Sequence, residues 1–168
     1  MNYGDLLGER ARLTPEKTAL VDVATGRRFT YAELDARAVR CARVLREALG
    51  LEVNGRVALL ADNRPEILDA MFAAPKGGVI LVPLGTRLTP RELAVILEDA
   101  APAVFLYGGE HAETVRALRG LANVRHWVAL DADNKADPSD QVFEDLATGI
   151  SGDWRPERRG PEDLHCLL

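Results

Sequence analysis

Residues 56–97 read RVALLADNRPEILDAMFAAPKGGVILVPLGTRLTPRELAVIL. Arg56 to Ala61 is a short apolar run with the length of a buried strand. Asn63 is the expected N-cap of the helix that follows, with Pro65 in its first turn and Glu66 at its third position. That is close to a capping box, in which side chains satisfy the N–H groups a helix start leaves free. Ile67, Leu68, Met71 and Phe72 recur at helical spacing and predict one apolar face. Gly77-Gly78 breaks the helix, Val79 to Val82 is a second buried strand, and Pro83 ends it. Thr89-Pro90-Arg91-Glu92 starts another helix, with Thr as cap, Pro first and Glu third. Two apolar strands joined by a helix make a βαβ unit, parallel and right-handed.

The same rhythm extends both ways. Upstream, residues 3–13 predict a short helix with Leu6, Leu7 and Ala11 on one side. Thr18 to Val23 and Arg27 to Thr30, reversed at Ala24-Thr25-Gly26, predict a β-hairpin. Thr30-Tyr31-Ala32-Glu33 is a capping box opening a helix with Leu34, Ala38, Cys41, Leu45 and Leu49 on one face and Gly50 near its end. Downstream, Leu93, Ile96, Leu97 and Ala100 line a helix that Pro102 ends. Strands at 103–107 and 126–130 flank a helix at 110–119 that turns Val115, Leu118 and Leu121 inward. Residues 131–140 are polar and acidic and predict a loop or linker, followed by one helical turn near Phe143. Residues 149–160 become basic at Arg155, Arg158 and Arg159. His165 to Leu168 resembles the start of another buried strand. The expected fold is therefore α/β: a mainly parallel sheet with flanking helices in βαβ units and an N-terminal hairpin. Residues 1–130 form the subdomain; 131–168 form the linker and the start of the next strand.

Composition narrows the function classes. A formal net charge of -5 argues against nucleic acid as a partner. No apolar run approaches the ~20 residues of a membrane span. The charged N-terminus at Asp5, Glu9, Arg10 and Arg12 is unlike a signal peptide. The two cysteines, Cys41 and Cys166, fit no metal or redox spacing and are expected to be free thiols in a reducing cytoplasm. His111, His126 and His165 are dispersed, so no metal ligand is assigned. Trp127 and Trp154 are expected to be packing residues.

Two glycine pairs invite a phosphate-binding reading. Lys76-Gly77-Gly78 follows a helix, whereas a P-loop follows a strand, so it is expected to be a helix stop. Gly108-Gly109 follows a strand and opens a helix, but it lacks the G-x-G-x-x-G pattern of a dinucleotide fold. The loop Gly85-Thr86-Arg87 lies at the carboxyl end of the Val79 strand, where open α/β sheets place ligands.

Lys76 to Leu84 followed by Arg87 to Leu93 resembles an early core motif of the AMP-forming adenylate-forming enzymes. That superfamily comprises acyl-CoA synthetases, adenylation domains of peptide synthetases, and luciferases. Phe29-Thr30-Tyr31-Ala32-Glu33-Leu34 resembles their first core motif, and Asn63-Arg64-Pro65-Glu66 a third recurrent element. The resemblance covers residues 1–130 well and the rest poorly. Gly85 departs from the usual asparagine or aspartate. Pro75 departs from an apolar helix former, and is expected to end or kink its helix. Leu81-Val82-Pro83-Leu84-Gly85 resembles the stand-alone CoA ligases more than the peptide synthetases.

The resemblance implies an acyl-CoA synthetase for a fatty or related carboxylic acid. The acid attacks the α-phosphate of ATP, with Mg²⁺ on the phosphates, and coenzyme A then displaces AMP from the acyl-adenylate. In that family Pro161-Glu162-Asp163-Leu164 precedes a strand and a Ser/Thr/Gly-rich phosphate-binding loop. The expectation is therefore that this chain is an N-terminal portion with no catalytic residue, binding no cofactor itself, whose partner is the remainder of its own enzyme. Arg87 is its one candidate contact, on the coenzyme A path. An unpaired sheet edge and an apolar patch are expected to favour self-association, as a dimer. The alternatives are a stand-alone binding or interaction module, a peptide-synthetase adenylation domain, and a Rossmann-like nucleotide-binding protein.

Overall fold

The computed structural model describes residues 5–157, 160 and 162–167. The readings placed on Tyr3, Arg158, Arg159, Pro161 and Leu168 lie outside them. In chain order the elements are α1 (Leu6–Leu13), β1 (Thr18–Val21), β2 (Arg28–Thr30), α2 (Tyr31–Arg43), which runs into a π-helical turn (Val44–Ala48), β3 (Arg56–Leu60), α3 (Pro65–Gly77), β4 (Ile80–Pro83), α4 (Pro90–Ala100) and β5 (Val104–Tyr107). A 3₁₀ turn (Gly109–His111), α5 (Ala112–Leu118), β6 (His126–Ala129), β7 (Gln141–Val142) and α6 (Phe143–Thr148) complete them.

β1 and β2 form the antiparallel hairpin, and the main sheet is five-stranded in the order β4-β3-β5-β6-β7. Every pairing in the main sheet is parallel. Its strands read as unbroken apolar runs because helices cover both faces. Val57, Leu59, Leu81, Leu106 and Val128 point to one core with α2 and α3. Ala58, Leu60, Val82, Phe105 and Tyr107 point to the other with α4 and α5. Phe105 stacks on Trp127, with ring centroids 4.9 Å apart, and Trp154 packs at the edge of the first core.

The capping boxes at Thr30/Glu33 and Thr89/Glu92 are both formed, and the expected face of α2 is buried at Leu34, Ala38, Cys41 and Leu45. The start of α3 differs from expectation. Its N-cap is Arg64, without a side-chain cap, and Pro65 takes the first position. Asn63 therefore does not cap it, and Glu66 pairs with Arg37 and Arg64 instead of with its own helix start. The buried face of α3 also differs. Ala70, Ala73, Ala74 and Gly77 are buried, while Met71 is 51% exposed. Small residues let α3 approach α2 closely: a Cβ on Gly77 would lie 3.4 Å from the Ala42 Cβ. Leu68 and Phe72 are left half-buried against Leu7 and Leu34. Pro75 does not end the helix, which runs on to Gly77 and stops at Gly78 with φ 65.

Two further expectations are corrected. Leu6 is exposed, because the first helix begins at the Asp5 cap and buries Leu7. Leu121 is also exposed, because α5 ends at Leu118. Residues 131–140 form the expected loop, which tucks Ala136 and Asp140 into the core and leads into β7 beside β6. The β4 edge is partly covered, since the Leu81 N–H donates to the His165 carbonyl and the Leu167 N–H to the Leu81 carbonyl.

Candidate functional site

The strand order creates one crevice. From β3 the chain leaves through α3 on one face of the sheet, and from β5 it leaves through α5 on the other. Between the carboxyl ends of β3 and β5 the connections diverge, and open α/β sheets place ligands at such a switch point. The parallel register sets Leu60 beside Tyr107, so Asp62 comes out level with Gly109.

A chain of charged side chains crosses this edge. Arg64 grips Asp131 with two hydrogen bonds, at 2.8 and 2.9 Å, and its Nε donates to Glu66 at 2.8 Å. Arg37 donates to Glu66 at 3.1 Å and to Asp69 at 2.9 Å. The Gly109 N–H donates to Asp131 at 2.8 Å. Beside this network, the Asp62 N–H donates to Glu110 Oε1 at 2.9 Å, and His111 Nε2 lies 3.2 Å from Asp62 Oδ1. Arg64 Nη1 stands 3.7 Å from Glu110 Oε2.

The titration of these groups follows from their partners. The Arg64 hydrogen bonds hold the Asp131 carboxyl below the usual carboxylate range, against a smaller effect of burial. Burial pushes Asp69 up, and Arg37 opposes it without cancelling it. Burial also pushes on Glu66, but there the arginine hydrogen bonds win and its pKa is lowered. For Asp131 the folded value lies below the unfolded one, so its contribution to stability is present above about pH 4 and is lost as pH falls through the folded value. Asp131→Asn is expected to remove that part of the acid dependence, leaving a flatter stability curve below pH 4 in urea titrations at stepped pH.

Neither glycine pair offers free N–H groups to a phosphate. Gly108 N–H donates to the Leu60 carbonyl, and Gly109 is committed to Asp131. Lys76 is 1% exposed and donates to Asp5 at 2.5 Å and Asp35 at 2.6 Å, so it is committed to the fold. These residues do not fit the ATP phosphates. Arg87 stands exposed on the turn after β4. His126 pairs with Gln141. An open cleft of about 390 Å³ lies between the hairpin and the start of α3, lined by Leu20, Val23, Arg64, Ile67 and Leu68 among others. Asp62, Glu110 and His111, to which the sequence assigned nothing, come together with one ligating atom of each within 4.8 Å of the others. Their separation in sequence hides them; the pairing of β3 with β5 was the signal that would have exposed them.

Among the described residues, no helix is long and apolar enough to cross a membrane. Cys41 is buried and Cys166 exposed, and neither is in a disulfide.

Comparison with known proteins agrees with this architecture. The chain is 38% identical over 135 residues to the long-chain-fatty-acid–CoA ligase FadD13 of Mycobacterium tuberculosis, covering 78% of this chain and 27% of the relative. It is 43% identical over 109 residues to a feruloyl-CoA synthase of Amycolatopsis, covering 65% of this chain and 22% of the relative. It thus spans less than a third of the length of these curated relatives. The inhibitor-bound N-terminal domain of FACL13 from M. tuberculosis superposes with a TM-score of 0.84 at 33% identity, covering 98% of this chain and 40% of that one. The family model described as AMP-binding enzyme matches residues 7–168, and the chain belongs to that family.

Proposed function

We propose that this chain is the N-terminal portion of an AMP-forming acyl-CoA ligase, which joins a fatty or related carboxylic acid to coenzyme A through an acyl-adenylate. The observation that carries the reading is the likeness to the FACL13 N-terminal domain along 98% of the chain. The names of the relatives support a carboxylic acid as substrate, aliphatic or aromatic. ATP, Mg²⁺ and coenzyme A are then reactants of the whole enzyme, and the remainder of that enzyme is the chain's partner. The whole enzyme acts in the cytoplasm, a setting supported by the free thiols.

This chain supplies framework and does not adenylate alone. Both glycine pairs and Lys76 are committed to internal bonds, which supports that view. The Arg87 guanidinium is proposed to meet a phosphate of coenzyme A. Arg87→Ala in the whole ligase is expected to raise KM for coenzyme A several-fold and leave KM for ATP unchanged; equal KM values for coenzyme A would remove Arg87 from the path. Exposed Leu6 and Met71, beside a groove of about 210 Å³ near β4, support self-association of the isolated chain. Light scattering reading a monomer at high concentration overturns that part.

Calorimetry with ATP–Mg²⁺ and with coenzyme A tests the framework reading. No saturable heat is expected from the 168-residue chain. Saturable ATP binding would overturn it and favour a stand-alone binding module.

A further inference from the structure

We infer that Asp62, Glu110 and His111 form a site for a divalent transition-metal ion of the zinc type, separate from the ligase chemistry proposed above. Two carboxylates and one imidazole converge, with one ligating atom of each within 4.8 Å of the others. That donor set suits a borderline cation: imidazole favours zinc and its neighbours, whereas magnesium and calcium prefer oxygen alone. Two ligands at ordinary zinc distances and a tetrahedral angle stand about 3.3 Å apart. His111 Nε2 and Asp62 Oδ1 stand at 3.2 Å, and His111 Nε2 and Glu110 Oε1 at 3.9 Å. A small rotation of the Glu110 side chain closes the second gap.

The site is held by the fold. Glu110 and His111 sit on the tight turn after β5, and Asp62 follows the neighbouring strand β3. The Asp62 backbone N–H already holds Glu110 Oε1 beside the cluster at 2.9 Å, and the rotation that closes the gap to His111 lengthens that one bond. Charge points the same way. The Arg64 guanidinium stands beside the cluster, and its closest bonds go to Asp131 and Glu66, with Glu110 at 3.7 Å. The hydrogen bonds of Arg64 thus go to Asp131 and Glu66, outside the cluster. Three protein ligands leave at least one position open to water or to an anionic group.

The test is calorimetric titration of zinc chloride into the purified chain in a non-chelating buffer, with cobalt(II) absorption as a second readout. One saturable site is expected. Asp62→Asn and His111→Ala are each expected to weaken it tenfold or more. His126→Ala, at the far end of β6, is expected to leave it unchanged. Asp62 is solvent-exposed, so its variant stays folded even if the His111 variant does not, and circular dichroism checks both. Absence of saturable heat overturns the site. Unchanged affinity in Asp62→Asn also overturns it, by placing the metal elsewhere. Neither result bears on the ligase reading, which is decided by ATP and coenzyme A.

Discussion

The double substitution Asp5→Asn with Asp35→Asn is expected to cost about 3–5 kcal/mol, the range for stranding a buried charge by removing its partners. Lys76 is 1% exposed and both of its carboxylate partners would be gone. Asparagine isolates the charge, because Asp5 also caps α1 by accepting from the Gly8 N–H, and asparagine caps as well as aspartate. Each single substitution leaves one carboxylate on Lys76 and is expected to cost far less. Lys76→Met is expected to fall between these extremes: it keeps the packed stem, and Asp5 and Asp35 are exposed enough to rehydrate. Urea midpoints at constant slope give the ranking. If Lys76→Met proves worse than the double variant, desolvation of the carboxylates, not of the lysine, governs the cluster.

Asp140→Ala is expected to cost about 3 kcal/mol, because it removes a buried carboxylate that three groups bond. The Tyr107 hydroxyl, on a fully buried ring, donates to Asp140 at 2.6 Å, and Arg119 pairs with the same carboxylate. The Asp137 N–H donates to it at 3.1 Å, and the Ala136 N–H donates to the Tyr107 oxygen at 2.8 Å. Together these bonds hold residues 131–140 against β5, which lets Gln141 and Val142 pair with β6. Tyr107→Phe removes two of them, the bond to Asp140 and the one from the Ala136 N–H, and is expected to cost about 2 kcal/mol. Hydrogen exchange separates a local from a global effect. In Asp140→Ala, protection is expected to drop first in residues 131–142 while β3 stays protected. Equal loss throughout would mean that the loop unfolds only with the core.

Both predictions concern residues whose roles lie outside local pattern. Lys76 reads as part of a helix stop, and Asp140 as one more acid in a polar stretch. What the sequence by itself determined was local. The apolar runs at 56–61, 79–82 and 103–107, the capping boxes at Thr30 and Thr89, and the buried stripe of α2 are each decided by residues a few positions apart. Those signals also carried the family motifs, and hence the parallel α/β architecture. The tertiary structure alone decided which face of α3 is buried. The small face wins because Ala70, Ala73, Ala74 and Gly77 let two helices approach, a gain that exists only once α2 is present. It also decided that β3 lies beside β5, which brings Asp62 to Glu110 and His111, and Arg64 to Asp131. Strand order and helix rotation depend on packing between segments far apart in the chain, and no local period or cap encodes them.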